Sequence, residues 1–559
     1  MYILGIKTSG HDTAAAIVKN GQIIAACAQE RFNRKKHSTE FPKDAINFCL
    51  GQAGITTKEV DLVAIPFDYP LALAVLIGKF TLEYFPASVN ATRTLLPYLL
   101  TKWKGGESGL RTMGYSGRIK YIEHHHGHAA SAFYPSNLGS AAVLTIDARG
   151  ESASTCVYLG NGDGLKRIVT LANYPHSLGY LYASLTVYLG FERNSGEGKV
   201  MGLAPYGDWR IYSQYADIIK LFPDGKFNLD LSYFSFHLGA GLDVSKKFEK
   251  TFGPRRIPGS EITTRHKNIA AFLQHVTEET VLHCAKYAMK LTGKKSLCLS
   301  GGVALNSVAN GRVLKRLEPS QLFIQPASTD DGSALGAALF AFYSEHDRKP
   351  IHIDNTIYLG PEYSDNEIER CLVINRLKFI RPKNIQKLVA GDIASGKIVA
   401  WFQGRSEFGP RALGNRSILA DPRDSTMKDK LNSRVKFREY FRPFAPSVLE
   451  ESASEYFDSE EPSPYMLLTY NVKRKYQKIL PAITHVDGTA RIQTVSKKQN
   501  SQYWSLLNEF GKITGIPILL NTSFNIKGEP IVNTLQEAIN SFLGSGIDVL
   551  AIGSYIVKK

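Results

Sequence analysis

Four of the chain's fourteen histidines fall within five residues, in the stretch EHHHGHAASAFYP from Glu123 to Pro135. If this stretch is helical, His124 and His128 stand at i and i+4 on one face, a spacing that chelates a metal ion. His125 and His128, three apart, are a weaker alternative pair, and the sequence leaves open which of His124 or His125 partners His128. His126 falls on the opposite face, where a solvated ring is expected. Gly127 interrupts good helix propensity, so its place between the ligands speaks for close approach of another backbone. Two imidazoles do not complete a site; the missing ligands have to be carboxylates brought in from elsewhere. Without them the plainer reading, histidines that cap or cover a helix, would stand.

The elements that could bring them are repeated. Residues 2–26, YILGIKTSGHDTAAAIVKNGQIIAA, read as strand, polar turn, strand, Asn-Gly hairpin, strand. Residues 141–170 follow the same plan: VLTID, ARGES, ASTCVYL, GNGDG, LKRIV. A doubled strand-turn-strand with a polar turn in each half resembles the actin-like ATPases, whose two halves close their turns on nucleotide phosphates, although Asn-Gly hairpins are common enough to look alike by chance. KSLCLSGGVALNSVANGRVL, residues 295–314, adds a strand, a glycine turn and a helix-like run from about Val303, a pattern suited to a phosphate. PASTDDGSALGAALFAF, residues 326–342, adds an acidic turn before a helix of small residues, where Gly336, Ala337 and Ala338 allow close packing. These turns supply Asp147 and Asp330. A shell of His124, His128, Asp147 and Asp330 mixes nitrogen and oxygen donors and suits Fe(II) first, with Mn or Zn as alternatives.

At 559 residues, two or three domains are expected. Hydrophobic residues at 43 % and charged residues at 21 % describe a globular chain rather than a disordered one. The net charge of +16 fits any anionic partner, nucleic acid included, but the cations are not gathered in an arm. They thicken between Gly404 and Arg442, with ten Lys or Arg against five Asp or Glu. Clustered arginines bind phosphate or carboxylate bidentately, so a small anionic substrate explains them without nucleic acid. Asn521 follows the apolar PILL, where a strand end can project a polar group into a cleft. The six cysteines are scattered through mostly apolar segments with no CxxC pair, as reduced buried thiols would be. Met1 leads into a strand without a signal-peptide pattern, and the most apolar stretch, Leu71–Gly78, is too short to span a bilayer. A cytoplasmic protein with no membrane partner is expected. Ser344–Glu362, with SEHDRKP and LGPE, reads as an interdomain connection, placing a boundary near residue 360.

The motifs GIKTSGHDTAAAIVKNG, RFNRKKHS, HHHGHAASAF, GEGKVMGLAPYG, SGGVALN, GRSEFGPRALGNRSILADPR and LNTSFNIKGEP together resemble the ATP-dependent O-carbamoyltransferases, which include the tobramycin, cephamycin and nodulation-factor enzymes. The resemblance covers nearly the whole chain, and GPRALGNRS and LNTSFN are its most specific pieces. It implies an α/β chain: a Kae1-like, duplicated actin-fold domain over 1–360 that binds ATP and metal, then a YrdC-like α/β domain over 361–559 that binds carbamoyl phosphate. Carried onto matching positions, it gives the same four metal ligands, His11 beside the acceptor hydroxyl, and Lys36 near the nucleotide. Lys36 could equally belong to a solvated basic run with Arg34 and Lys35. The turns holding Asp147, Gly150, Glu151, Gly301, Gly302 and Asn306 would face the nucleotide, with Mg accompanying ATP. Arg411 and Arg442 would act on carbamoyl phosphate, with Arg491 and Asn521 completing the site; Arg405 and Arg416 could be surface or supporting residues.

The chemistry implied is cleavage of carbamoyl phosphate to carbamate, formation of carbamoyladenylate with release of pyrophosphate, and transfer to a hydroxyl of a small natural product or oligosaccharide. A homodimer is compatible with the family. Two other readings compete: a tRNA threonylcarbamoyl transferase, which would hold tRNA in a salt-dependent way, and an actin-like ATP-binding module without transfer chemistry. The acceptor is not legible, and segments such as Leu71–Gly114 are where its selection is expected.

Overall fold

Asn20 and Gly21 both take positive φ, the conformation a two-residue hairpin requires, and they fold residues 2–28 back on themselves as the sequence anticipates. The structure, a computed structural model, describes residues 1–85, 88–238, 241, 243–345, 349–354 and 357–559. Of the connection expected at 344–362, residues 346–348 and 355–356 lie outside the described residues. The chain divides into two units. The first comprises Met1–Gln29 and His37–Thr356, the second Glu30–Lys36 and Ile357–Lys559.

The first unit holds two five-stranded sheets of one design. Strands β1 (Tyr2–Lys7), β2 (Ala14–Lys19) and β3 (Gln22–Ala28) are antiparallel, and β4 (Leu62–Ile65) and β5 (Arg118–Tyr121) continue parallel to β1, in the order β3-β2-β1-β4-β5. In the second sheet β6 (Ala141–Ile146), β7 (Ala153–Asn161) and β8 (Gly164–Asn173) are antiparallel. Strands β9 (Ser296–Ser300) and β10 (Gln321–Ile324) run parallel to β6, in the order β10-β9-β6-β7-β8. The repeat read from sequence is therefore a repeat of topology, the duplicated arrangement of the actin-like ATPases.

Helices fix the relation between the sheets. The Asp330–Ser344 helix lies on β1 so closely that a Cβ on Gly5 would fall 1.9 Å from the Ala334 carbonyl oxygen. The same helix crosses the His124–Phe133 helix at Gly336, where a Cβ would fall 1.7 Å from the Gly127 carbonyl oxygen. The small-residue run and Gly127 thus serve the close approach expected of them, and that approach sets Asp330 beside the histidines. The run after SGG differs in detail: a short 3-10 turn covers Gly302–Leu305, and the α-helix starts at Ser307 because Asn306 caps it by accepting from the Ala309 N–H.

The second unit is built on an eight-stranded mixed sheet. Its strands are β11 (Phe379–Ile380), β12 (Val399–Phe402), β13 (Arg416–Ala420), β14 (Ala445–Leu449), β15 (Gln493–Val495), β16 (Ile518–Ser523), β17 (Val549–Ile552) and β18 (Tyr555–Lys558), in the order β11-β18-β17-β12-β13-β16-β14-β15. Helices Ile385–Ala394 and Ser501–Thr514 bury one face of it around Trp401, Tyr503 and Phe510. No helix among the described residues is long and apolar enough to cross a membrane.

Gly336→Ala is expected to cost about 1–3 kcal/mol of stability, since backbone cannot yield as a flexible side chain does. Gly51→Ala, at a helical position with nothing within 4 Å, should leave stability unchanged or raised. Denaturant midpoints of the two variants check the contrast.

Candidate functional sites

The His124–Phe133 helix begins where it does because Glu151 stands over its first turn, its carboxylate accepting from the His124 N–H at 3.1 and 3.2 Å and from the Asp68 N–H at 2.6 Å. Burial holds the Glu151 carboxyl above its ordinary value, against His124 and the backbone donors. Gly150 suits this close approach, because a Cβ there would lie 3.0 Å from His125 Cδ2 and 3.2 Å from His124 Cβ and would press on both. These residues of the GESAS turn thus seat the histidine helix.

Four donor atoms converge above that turn. His124, His128, Asp147 and Asp330 are all buried, and one ligand atom from each lies within 4.8 Å of the others. His124 Nδ1–H donates to the Pro66 carbonyl at 3.2 Å, which fixes the tautomer and leaves Nε2 facing the cluster. There it meets His128 Nε2 at 3.0 Å, Asp147 Oδ2 at 3.2 Å and Asp330 Oδ1 at 3.4 Å. Asp147 is held by its other oxygen, which accepts from the Gly302 N–H at 2.9 Å. That contact needs the Gly301 turn flush against β6, at φ +93, where a Cβ would fall 2.2 Å from the Ile146 carbonyl oxygen.

The electrostatics reserve this cluster for a positive charge. Burial opposes a cation on His124, yet the Asp330 and Asp147 carboxylates outweigh it and hold the imidazole up at about 10. Both carboxyls, despite burial, are held well below the usual range: Asp147 by His124 and His128, Asp330 by Lys7 and the same histidines. Two nitrogen and two oxygen donors in that setting fit a divalent transition metal.

The other two histidines are placed differently. His125 donates from Nε2 to the Ala153 carbonyl at 3.0 Å and meets the Thr145 hydroxyl through Nδ1 at 2.8 Å, so neither nitrogen is free for a ligand. Burial, with His124 and His128 nearby, lowers it to about 3. His126 corrects the expectation of a solvated ring: it packs against Tyr158 and Phe340 at centroid distances of 5.1 and 5.0 Å and faces Glu123 at 3.3 Å. Asn306 is committed as well, to its helix cap and to a buried amide pair with Gln274 at 3.0 and 3.1 Å.

Beside Asp330 lies the β1–β2 turn. Its Asp12, in strained left-handed backbone at φ 57, accepts from His11 Nδ1 at 2.8 Å and from His37 Nδ1 at 2.7 Å, and His37 Nε2 meets the Ser195 hydroxyl at 3.1 Å. Burial opposes a charge on His11, but Asp12 and Asp330 raise it to about 9. The His11 side chain is one-third exposed, and its Nδ1 is the nitrogen that Asp12 holds. Sequence reading missed Asp12 and His37 as partners. It missed Lys7 too, a buried lysine ending an apolar strand, whose Nζ lies 2.9 Å from Asp330 Oδ2. Burial disfavours its charge, and Asp330 restores it.

The second unit gathers cations. Burial lowers Arg411, Arg438, Arg442, Arg491 and Lys436, and neighbouring positive charge lowers all of them but Arg442 further. Burial and then Arg442 bring Arg411 down to about 10 and Arg438 to about 9, while burial followed by like charges holds Arg491 and Lys436 well below their ordinary values. Arg442 is lowered by burial, with Glu439 in partial compensation. The Nε atoms of Arg411 and Arg491 are buried without a hydrogen-bond partner among the described residues. Arginine does not give up its proton at working pH, so such a cluster is relieved by an anion. Lys436 Nζ is spent on the LNTSFN turn, donating to the Ser523 carbonyl and, at 2.8 Å, to Asn525 Oδ1. Lys36, expected at the nucleotide, is exposed and groups with this unit, where its charge reaches Lys436.

The loop carrying Arg411 is tied from within. One oxygen of buried Glu407 accepts from the N–H groups of Leu413, Asn415 and Arg416 at 2.7, 2.8 and 3.2 Å. Asn521 Nδ2 donates to the Ala412 carbonyl at 3.3 Å, Ser447 Oγ at 3.0 Å and Gln493 Oε1 at 3.1 Å, and its own Oδ1 has no hydrogen-bond partner among the described residues. Arg416 is no surface residue. It is fully buried over Phe402 at 3.6 Å and donates to the carbonyls of Gln403, Asn415, Pro361 and Gly404 at 2.6–3.0 Å. Arg405 likewise supports the loop, donating to the Leu359 and Gly360 carbonyls.

The family model for the carbamoyltransferase N-terminus matches residues 2–71 and 88–339, and that for the carbamoyltransferase C-terminus matches residues 390–559. The chain belongs to the carbamoyltransferase family. The enzyme is 42 % identical to an uncharacterized protein, sll1178, of Synechocystis, over 100 % of this chain and 97 % of that one. It is 40 % identical to nodulation protein NolNO of Sinorhizobium fredii over 99 % of this chain and 80 % of that one, and 40 % identical to nodulation protein NolO of Bradyrhizobium diazoefficiens over 78 % and 79 %. The four converging His and Asp residues all fall in the matched N-terminal segments, and Arg411, Arg442, Arg491 and Asn521 in the matched C-terminal one.

Two binding measurements follow. Dialysis against Mn(II) or Zn(II) should leave about one ion per chain; His124→Ala or Asp330→Asn should abolish retention, and His126→Ala should preserve it. Inorganic phosphate should raise the unfolding temperature of the enzyme, and Arg411→Ala with Arg491→Ala should remove most of that rise.

Proposed function

We propose that this carbamoyltransferase works in two stages, making carbamoyladenylate from carbamoyl phosphate and ATP and then passing the carbamoyl group to a hydroxyl of a small molecule. The observation that carries the reading is that one chain of this family holds a cation cluster built for an anion and, in a separate unit, a buried His2Asp2 cluster beside a partly exposed histidine, His11. The nodulation relatives favour a small-molecule acceptor.

In the first stage Arg411, Arg442 and Arg491 bind carbamoyl phosphate, and Asn521 keeps the Arg411 loop in place through Ala412. Water cleaves the substrate to carbamate and inorganic phosphate, the guanidinium groups stabilising charge on the departing phosphate. A carbamate oxygen then attacks the α-phosphorus of ATP, forming the mixed anhydride as pyrophosphate leaves with the bonding electron pair. In the second stage the acceptor hydroxyl attacks the carbamoyl carbon and AMP departs.

His11 takes the hydroxyl proton on Nε2, since Nδ1 is held by Asp12. A divalent ion held by His124, His128, Asp147 and Asp330 would supply Lewis acidity toward the nucleotide's oxygens. Because Asp12 and Asp330 raise His11 to about 9, the free base is a minor form at neutral pH. The transfer rate therefore rises with pH and levels off above about 9. Asp12→Asn should move that inflection downward, as measured by the pH dependence of kcat/KM for the acceptor.

Carbamoyl-phosphate-dependent release of pyrophosphate from ATP, assayed with a panel of alcohols, tests the pathway. Arg411→Ala should abolish it while metal content stays intact. His11→Ala should slow carbamoylation about 10²- to 10⁴-fold while a first turnover of pyrophosphate survives. Carbamoylation of an alcohol at the native rate by His11→Ala would remove the base assignment.

A further inference from the structure

The two carboxylates of the buried cluster are anchored by different means. Asp147 gives Oδ1 to the Gly302 amide at 2.9 Å and turns Oδ2 toward His124 at 3.2 Å. Asp330 gives Oδ2 to Lys7 Nζ at 2.9 Å and turns Oδ1 toward His124 at 3.4 Å and His128 at 3.7 Å. Each carboxylate thus presents one oxygen and has the other restrained. A neutral backbone amide does this at Asp147, whereas at Asp330 a full cation does it, on a side chain only 4 % exposed.

Nothing in the sheet demands that cation. Lys7 is the last residue of β1, opposite Ala14, and its ammonium also lies 5.9 Å from the Phe67 ring centroid. An apolar side chain in such a place would avoid the cost of desolvating a charge. The contact restrains Asp330, and the charge also acts on everything the cluster binds.

We propose that Lys7 is the positioning residue that sets both the denticity and the charge of this cluster: it keeps Asp330 a one-oxygen ligand and makes the loaded site cationic, so that it captures a phosphate-bearing ligand. The proposal rests on the metal reading above. Two carboxylates and two neutral imidazoles around a divalent ion sum to zero, and Lys7 brings the total to +1. Without Lys7 both Asp330 oxygens would be available to the ion, and the repulsion between ammonium and ion would be gone. Lys7 would therefore weaken the grip on metal and strengthen the grip of the loaded site on an anion. A merely structural lysine would weaken both when removed.

The test uses full-length enzyme, Mn(II) as metal probe and inorganic pyrophosphate as anion probe. Free Mn(II) is titrated by electron paramagnetic resonance, and pyrophosphate is followed by its ³¹P relaxation, which only phosphorus close to the bound ion feels; anion held at the cation cluster of the other unit does not register. Lys7→Gln and Lys7→Met should each bind Mn(II) about tenfold or more tightly than the unsubstituted enzyme, and the pyrophosphate relaxation at bound Mn(II) should fall by a similar factor. Lys7→Arg, which keeps the charge, should restore both toward the starting values. Should Lys7→Met fail to fold, Lys7→Gln, which can still bond Asp330, carries the comparison. Unchanged or weaker Mn(II) binding in a folded neutral variant, or unchanged pyrophosphate relaxation, overturns the proposal while leaving the metal site standing. Absence of Mn(II) binding by the unsubstituted enzyme overturns the metal reading and this inference together.

Discussion

Two carboxylates and two imidazoles buried within a few ångströms of one another are tolerable only around a positive charge, and much of the first unit is arranged to keep them there. Burial alone would neutralise Asp147 and Asp330, yet both stay ionised because His124, His128 and Lys7 surround them. The constraint reaches outward through backbone. Gly336 lets the Asp330 helix lie against the histidine helix, Gly150 lets the GESAS turn lie under it, and Gly301 lets an amide reach Asp147. Each glycine lacks a Cβ that would crowd the element it packs against, and at Gly336 both packed helices carry ligands.

The second unit poses the inverse problem. Its buried guanidinium groups repel one another, and its loop is held by internal ties, the carboxylate of Glu407 and the carbonyl ring around Arg416, that do not neutralise Arg411 or Arg491. One unit thus favours a cation and the other an anion. The proposed two-stage reaction would use such a division, with the donor's phosphate at the cation cluster and the nucleotide at the His and Asp cluster.

The features written in local chemistry were legible in the sequence. The Asn20-Gly21 hairpin and the GNGDG turn announced the two strand repeats, and the HxxxH spacing announced a chelating face on a helix. The features decided by distant packing were not. His124, and not His125, faces Asp147 and Asp330 because Thr145 and Ala153, on strands β6 and β7, take both nitrogens of the His125 ring. The ring of His126 is covered by Tyr158 and Phe340, which no helical wheel contains. Lys7 carried no signal in the sequence, and the packing of β1 under the Asp330 helix is what buries it beside Asp330. Arg416 reads as one cation in a basic run until the loop closes its carbonyls around it. The helix after SGG starts later than its composition suggests because Asn306 is the stronger cap.

The claim on which the account most depends is that His124, His128, Asp147 and Asp330 form one site for one ion. The most direct measurement is anomalous X-ray scattering from crystals of the enzyme grown with Mn(II). The account predicts a single strong peak enclosed by the two imidazole Nε2 atoms, Asp147 Oδ2 and Asp330 Oδ1, with Lys7 still on Asp330 Oδ2. Ordered side chains in this arrangement with no peak among them, or a peak elsewhere in the chain and none here, would contradict it.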